Sequence, residues 1–303
     1  MRPRQWIKNI AIFAAITFSG DLFDWVALQK VLLAFIVFCS LSSASYIIND
    51  IFDVKKDRLH PFKRFRPLAN KSLTVPYALT VALVLIIVSF ALGLMVTPAF
   101  FILQIIYLLV QFFYSTVLKP IAVIDILVIA LGYILRVYAG ELAGGVHISV
   151  WLLLTTISLS LFLAIGKRRS ELTLVSQNKS VNIADIRKTL SHYSERLLDV
   201  YASIFATSTF VSYTLFTFLE NPRGFNLGLG ILFPDFLPAF FQRKWLMITI
   251  IPVVYGLMRY LQDIYERHEG ESPDRILTSD KPLLISVLFW ISLVIVIIYV
   301  IGP

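Results

Sequence analysis

Long apolar runs recur along the whole chain, and they constrain its fold more than any other feature of the sequence. A helix needs about 17–25 predominantly apolar residues to cross the hydrocarbon core of a bilayer. The runs predict about nine such helices, the first of them short: 6–20, 28–50, 75–95, 99–118, 122–142, 148–167, 197–219, 245–264 and 283–301. Because the runs are continuous and do not alternate with polar residues, they exclude a transmembrane β-barrel. We therefore predict an all-α, polytopic membrane protein.

The composition supports this prediction. The chain has 303 residues, of which 58% are hydrophobic and 15% charged, whereas a soluble domain is about half apolar and about a quarter charged. In a soluble protein, a net charge of +8 would suggest nucleic-acid binding. Here it indicates basic loops beside anionic headgroups or substrates, so we expect membrane lipid and no nucleic acid as partners. Cys39 is the single cysteine, which excludes an intrachain disulfide.

The distribution of basic residues predicts the orientation. Most of the 27 Lys and Arg residues lie in loops on the side of the N-terminus, and basic loops stay cytoplasmic. We therefore expect a multi-pass protein of the cell inner (plasma) membrane with its N-terminus in the cytoplasm. Basic residues followed by an apolar stretch in 1–20 resemble a signal peptide, but without a convincing cleavage site we interpret them as a retained helix.

The loops indicate a single domain, 1–303, because no flexible linker interrupts the chain. Two cytoplasmic loops, about 51–74 and 168–196, are long and charged enough to form short helices that cap a cavity. On the opposite side, 220–244 is apolar but broken by Gly and Pro, and we expect it to lie along the membrane surface.

An acidic cluster follows the second apolar run directly. Asp50, Asp53 and Asp57 share one face if the helix continues, where they repel one another and oppose the helix dipole. A cation should therefore lie among them. Carboxylates and the amide oxygen of Asn49 are hard ligands that suit Mg²⁺. We interpret Asn49, Asp50, Asp53 and Asp57 as Mg²⁺ ligands and the three aspartates as catalytic; the alternative is a solvated helix end at the membrane surface.

Basic residues follow the acidic cluster within a few positions. Lys63, Arg64 and Arg66 are candidates for binding the phosphates of a substrate, because phosphate sites combine a metal with Arg and Lys. The alternative is that these charges only orient the chain in the membrane.

Further candidates for substrate binding lie at helix ends and inside one helix. Lys167 and Arg168 end the sixth helix, where cations are favourable in any case. Tyr114 and Lys119 end the fourth helix and could equally be interfacial anchors. Charged residues inside a membrane helix are functional candidates by default, and the sequence places Arg136 inside the fifth.

Two of these candidates keep a second interpretation. The alternative for Arg136 is a structural pair with Glu141 at the outer end of the helix. Lys8, early in the first helix, could reach a lipid phosphate or could only orient the chain.

The acidic cluster also carries a family resemblance. N-D-x-x-D-x-x-x-D at Asn49–Asp57, followed by R-P-L, resembles the first aspartate motif of the UbiA-type intramembrane prenyltransferase superfamily. The longer string to Ala69 is similar to one branch, the decaprenyl-phosphate phosphoribosyltransferases. Four other strings resemble that branch: R-P-R-Q-W-I-K-N at Arg2–Asn9, Y-S-x-x-L-K at Tyr114–Lys119, G-Y-I-L-R-V-Y-A-G at Gly132–Gly140 and G-K-R-R-S-E-L at Gly166–Leu172.

The resemblance implies a UbiA-like fold of about nine helices around a central cavity. It also implies Mg²⁺-dependent transfer of the 5-phosphoribosyl group from phosphoribosyl diphosphate to a polyprenyl phosphate, with release of diphosphate. The product would serve cell-envelope polysaccharide synthesis. It leaves open whether the chain forms a homo-oligomer.

One departure from the wider superfamily bears on the substrate. Ordinary members carry a second acidic motif after the sixth helix, where this chain has Lys167, Arg168 and Arg169. Cations there remove metal ligands and add phosphate binders, which favours a sugar donor with a diphosphate and a further phosphate. Two alternatives remain: a prenyltransferase that acts on a prenyl diphosphate and an aromatic acceptor, and a lipid or solute transporter.

Overall fold

The computed structural model describes residues 3–59, 63–177, 188–220, 245–265 and 273–301. Within these ranges every regular element is helical. The α-helices are α1 (Ala14–Ser19), α2 (Trp25–Leu59), α3 (Val75–Leu94), α4 (Pro98–Phe113), α5 (Ile124–Gly144), α6 (Val150–Gln177), α7 (Glu195–Leu219), α8 (Ile250–Tyr265), α9 (Pro273–Ser279) and α10 (Lys281–Ile295). The 3₁₀ helices are Pro3–Phe13, Lys63–Phe65, Lys188–His192 and Trp245–Thr249, and π-helical turns Tyr114–Leu118 and Val296–Ile301 extend α4 and α10.

Eight helices in the described part of the chain are long and apolar enough to cross a membrane. Large apolar side chains such as Ile87, Leu109 and Ile251 are exposed on their outer faces, as expected for surfaces that contact lipid. The chain is therefore a multi-pass, all-helical membrane protein, as the apolar runs predict.

The first predicted helix has an unusual form. It begins as the 3₁₀ helix Pro3–Phe13 and continues as α1, and at 3₁₀ and α-helical rise the two are together about 31 Å long, which matches the bilayer core. Ile12 and Ile16 are fully buried, and the segment packs against α5. Gly140 allows this close approach, because a Cβ there would stand 1.8 Å from the Ile12 carbonyl oxygen.

Local signals explain where the other helices begin. Prolines occupy the first turns of α3, α4 and α10, where a missing N–H costs nothing. The side chains of Thr97 and Asp280 accept hydrogen bonds from the Phe100 and Leu283 amides at 3.1 and 2.7 Å. Such caps satisfy amides that have no partner inside the helix.

Two helices extend well beyond the apolar core. At 1.5 Å per residue, α2 is about 52 Å long and α6 about 42 Å, against about 30 Å for the hydrocarbon. The protruding ends carry the acidic cluster on α2 and the basic residues Lys167–Arg169 on α6, and both lie at one end of the bundle, which we name the motif end. Much of the two predicted cap loops is therefore helix, up to Leu59 and up to Gln177.

The rest of those loops is only partly described. Residues 60–62 and 178–187 lie outside the described residues, as do 221–244 from the predicted surface segment 220–244. The described parts contain the short 3₁₀ helices Lys63–Phe65 and Lys188–His192, which is consistent with the short helices that the sequence predicts there.

Candidate active site

Arg66 lies between two of the three aspartates on α2. The helix continues through the motif, so Asp50 and Asp57 are two turns apart on one face, and the turn at Lys63–Phe65 brings the chain back beside them. The Arg66 Nη1 atom is 3.0 Å from Asp50 Oδ1 and 2.6 Å from Asp57 Oδ2. The expected cation among the acids is thus supplied by the chain itself.

The third aspartate contacts a cation from a different helix. Lys119, directly after the π-helical turn that extends α4, forms an ion pair with Asp53. Each acid of the cluster therefore has a basic partner, which offsets the repulsion between the carboxylates. The amide oxygen of Asn49, one residue before the cluster, is buried and has no hydrogen-bond partner among the described residues.

These residues fit a shared magnesium ion better than a closed metal cage. Among the described residues, no three His, Cys, Asp or Glu side chains lie close enough together to hold a metal on their own. Mg²⁺ usually binds through one or two carboxylates, keeps waters and shares substrate phosphates. Asp50 and Asp57 already converge on one cationic nitrogen, and the buried Asn49 oxygen is available beside them.

Arg168, at the motif end of α6, is fully buried among partners from the protein itself. Its Nε is 2.7 Å from Asp125 Oδ2, and its other nitrogens bond to Glu171 and, at 3.3 Å, to the Tyr114 hydroxyl. The contact with Asp125 is a fully buried ion pair. Substrate binding by Arg168 stays a prediction, and its geometry favours a role in positioning Tyr114.

Arg169 and Lys167, the residues on either side of Arg168, differ in their surroundings. The Arg169 guanidinium contacts Asp199 at 2.7 Å and Glu195 at 3.1 Å on α7, and it stacks over the Tyr265 ring at 5.5 Å. It thereby joins α6, α7 and α8. Lys167 is half-buried at the same end. The three cations of this sequence therefore lie together at the motif end, where Arg168 and Arg169 form ion pairs with carboxylates.

Arg136 lies deeper, inside the bundle. Its Nε donates to Asn9 Oδ1 at 2.7 Å, its Nη2 to the Tyr107 hydroxyl at 3.0 Å and its Nη1 to the Gly132 carbonyl. Glu141, the alternative partner considered from the sequence, pairs instead with His147 at 3.2 Å. Asn9 and Tyr107 are not among the residues that the sequence predicts for a site, because their only signal is a polar group inside an apolar run.

The remaining candidates lie around the motif end. Lys8 donates to Gln5, which also accepts a hydrogen bond from Tyr46 at 3.4 Å. Arg64 is exposed and stacks on the Phe65 ring at 4.9 Å. The side chain of Lys63 lies outside the described part of the structure. The structure thus brings together the three aspartates, Arg66 and Lys119, and it places Arg136 in a separate, deeper polar cluster.

The comparison with known families identifies the class of protein. Residues 10–293 match the UbiA prenyltransferase family, so the chain belongs to this family of membrane transferases. Solved structures agree in fold. A UbiA homolog from Archaeoglobus fulgidus bound to DMAPP and Mg²⁺ superposes with a TM-score of 0.70 at 19% identity, over 98% of this chain and 96% of that one. The apo UbiA homolog from Aeropyrum pernix K1 gives a TM-score of 0.63 at 14% identity, over 98% of each chain.

Particular relatives narrow the resemblance to one branch. The decaprenyl-phosphate phosphoribosyltransferase of Corynebacterium glutamicum is 33% identical over 304 residues, which cover 99% of this chain and 86% of the relative. The enzyme of the same name from Mycobacterium tuberculosis is 35% identical over 298 residues, covering 97% of this chain and 91% of the relative. The resemblance seen in the motifs up to Leu172 is confirmed, and it extends over nearly the whole chain.

Proposed function

We propose that the protein transfers the 5-phosphoribosyl group from phosphoribosyl diphosphate to a decaprenyl-like polyprenyl phosphate and releases diphosphate. The observation that carries this proposal is the charge at the two protruding helix ends. The end of α2 holds acids that each contact a cation, while the end of α6 is basic where the wider superfamily has a second acidic motif. The similarity to two decaprenyl-phosphate phosphoribosyltransferases over 97–99% of the chain supports it.

In this proposal the acidic cluster is the part of the site that would hold Mg²⁺ for the donor diphosphate. Asn49, Asp50, Asp53 and Asp57 would supply oxygen ligands to Mg²⁺, which would provide Lewis-acid stabilisation for a diphosphate leaving group. Arg66 and Lys119, which contact those acids, bind phosphate oxygens when the substrate enters, because charge-assisted bonds to phosphate are strong. Rupture of the bond at C1 develops oxocarbenium character, and the fixed cations stabilise the leaving group.

The acceptor needs little activation. A polyprenyl phosphate is already anionic at neutral pH, so the site requires no strong general base. The rate gain comes from holding a lipid headgroup and a soluble sugar donor together. In this proposal Lys8 and Tyr114 bind the headgroup, Lys63 and Arg64 bind the donor phosphates, and Lys167 binds the sugar phosphate.

The donor is soluble, which requires the motif end to face the cytoplasm. The excess of Lys and Arg on this side supports that orientation. The site then opens to the cytoplasm for the sugar and to the plasma membrane for the lipid. The product is a polyprenyl-phosphoryl-5-phosphoribose, a precursor for cell-envelope polysaccharide.

A transfer assay with purified protein tests the proposal. The protein is incubated with Mg²⁺, radiolabelled phosphoribosyl diphosphate and polyprenyl phosphate, and label is counted in the organic phase, with EDTA as control. We expect label only when the lipid and Mg²⁺ are both present. A labelled prenyl diphosphate with an aromatic acceptor forms the second arm, and product there with none in the first would contradict phosphoribosyl transfer. Lipid movement in proteoliposomes without either product would indicate a transporter.

A further inference from the structure

The segment 114–123 presents Lys119 to the acidic cluster. It begins at Tyr114 with the π-helical turn that ends α4, and it ends at Val123 just before α5. The Lys119 amide bonds to the Tyr114 carbonyl at 3.1 Å, so the position of the lysine depends on how the start of the segment is held. The Lys119 side chain then forms the ion pair with Asp53.

Val123, at the far end of this segment, has a strained backbone. Its φ is 68° and its ψ is −47°, a region that L-residues rarely adopt and that is a genuine outlier for a β-branched side chain. Such strain persists only where the surroundings impose it. The Val123 amide donates a hydrogen bond to the Tyr193 hydroxyl at 2.6 Å, and Tyr193 follows the 3₁₀ helix Lys188–His192 between α6 and α7.

Both ends of the segment connect to one carboxylate. The Tyr193 hydroxyl donates to Asp125 Oδ1 at 2.8 Å, and Asp125 Oδ2 lies 2.7 Å from Arg168 Nε. Arg168 donates in turn to the Tyr114 hydroxyl at 3.3 Å. Asp125 and Arg168 are fully buried and Tyr193 nearly so. The chain of contacts from Val123 back to Tyr114 thus closes around the segment that carries Lys119.

The energetics favour a positioning role over simple stabilisation. Removing two charges from water costs about as much as their attraction returns, so a buried ion pair adds little net stability. What such a network supplies is one defined arrangement of its members. Burial, together with the neighbouring Asp125 carboxylate, raises the pKa of Tyr193 to about 12. The hydroxyl is therefore protonated at neutral pH and can donate to Asp125 while it accepts from Val123.

We propose that Tyr193 is a positioning residue that, through Val123 and Asp125, fixes the segment 114–123 and so holds Lys119 at the place where the donor diphosphate binds. The inference rests on the proposed function for the identity of that diphosphate. It assigns a role to the chain between α6 and α7, which makes no described contact with the acidic cluster itself.

The test measures affinity for a diphosphate, without depending on turnover. Inorganic diphosphate with Mg²⁺ is titrated into wild-type protein, Tyr193→Phe, Lys119→Ala and the double variant by calorimetry in detergent. Losing one charge-assisted contact weakens binding by about tenfold, so we expect Tyr193→Phe to raise Kd by about that factor. In the Lys119→Ala background we expect the same change to have less than about a twofold effect, because residues acting through one another are not additive.

Tyr265→Phe is the matched control. Tyr265 interacts with Asp199 and stacks under Arg169 at the same end of the bundle, but it contacts no residue of the segment 114–123 described here. We expect its Kd for diphosphate to remain that of the wild type. Kinetics on phosphoribosyl transfer add a second measurement, in which Tyr193→Phe should raise KM for the sugar donor about tenfold and leave KM for the lipid unchanged.

Two outcomes would overturn the inference. One is that the effects of Tyr193→Phe and Lys119→Ala on Kd multiply, which means that Tyr193 does not act through Lys119. The other is that Tyr193→Phe leaves Kd unchanged. A misfolded fraction lowers the number of sites and not Kd, so poor folding cannot imitate the expected result. Normal diphosphate binding by a wild-type protein that transfers no phosphoribosyl group would contradict the proposed function and leave the positioning role intact.

Discussion

At the scale of single residues, the acidic cluster is the site where charge must be balanced. Arg66 bridges Asp50 and Asp57, and Lys119 pairs with Asp53. Under the proposed function, these three carboxylates would ligate Mg²⁺ while Arg66 and Lys119 bind phosphate oxygens of the substrate.

Neutralising one of these carboxylates should abolish transfer. We expect Asp50→Asn and Asp57→Asn each to lower kcat/KM at least about 100-fold, as loss of one preorganised electrostatic contact typically does. The amide keeps an acceptor for Arg66, so the thermal midpoint in detergent should change by less than about 4 °C. Asp24→Asn is the control, since Asp24 caps the opposite end of α2 through the Val26 amide at 2.8 Å. Wild-type turnover by both active-site variants would refute the metal site.

Replacing Lys167 should raise the KM for one substrate more than the KM for the other. Lys167 is half-buried at the motif end of α6, next to Arg168. We expect Lys167→Ala to raise KM for the sugar donor by about tenfold, the cost of one charge-assisted phosphate contact. KM for the lipid should change less, as measured with each substrate varied in turn. The reverse pattern would assign this lysine to the lipid headgroup.

At the scale of elements, the packing of the N-terminal segment on α5 depends on a glycine. The Ile12 carbonyl oxygen would be 1.8 Å from a Cβ at Gly140, whereas one turn later a Cβ at Gly144 would meet nothing nearer than Val31 Cγ2 at 3.4 Å. The first contact is impossible without a shift of backbone, and the second is ordinary van der Waals contact.

These two glycines form a matched pair for a stability test. We expect Gly140→Ala to lower the free energy of unfolding by about 1–3 kcal/mol, the usual cost of overpacking. Gly144→Ala should be neutral or slightly stabilising, because Ala favours the helix. Thermal unfolding in one detergent compares them. Equal midpoints for the two variants would show that the N-terminal segment does not pack on α5 as described.

At the scale of the whole molecule, the proposed orientation places the motif end in the cytoplasm. Cys39 is the single cysteine and is buried, so a cysteine introduced at an exposed position can be labelled selectively. Ser72 is exposed at the motif end, and the fully exposed His147 lies between α5 and α6 at the other end. We expect a membrane-impermeant maleimide added to intact cells to label His147→Cys and to label Ser72→Cys only after lysis. The opposite pattern would invert the orientation.

The sequence by itself determined the class of fold and predicted where the candidate site lies. In lipid the backbone of a continuous apolar run of about 20 residues must form a helix to satisfy its hydrogen bonds. The membrane-spanning helices could therefore be predicted from hydropathy alone. The first helix was harder to predict, because most of it is the 3₁₀ helix Pro3–Phe13, and the length of an apolar run does not distinguish a 3₁₀ helix from an α-helix. The need for a cation at the acidic cluster could also be predicted, because three aspartates on one helix face repel one another in any environment.

Only the tertiary structure decided which cation each acid meets and what the other charges do. Lys119 and Asp53 are 66 positions apart along the chain, and no local pattern can state that they touch. Arg168 is predicted from the sequence as a phosphate ligand, and only folding shows that it is buried against Asp125, a residue of α5. The physical reason is that periodicity and hydropathy report on one helix at a time, whereas partners of charged side chains depend on how helices pack. Helix packing brings distant side chains together, and the cost of burying a charge then determines which of them must pair.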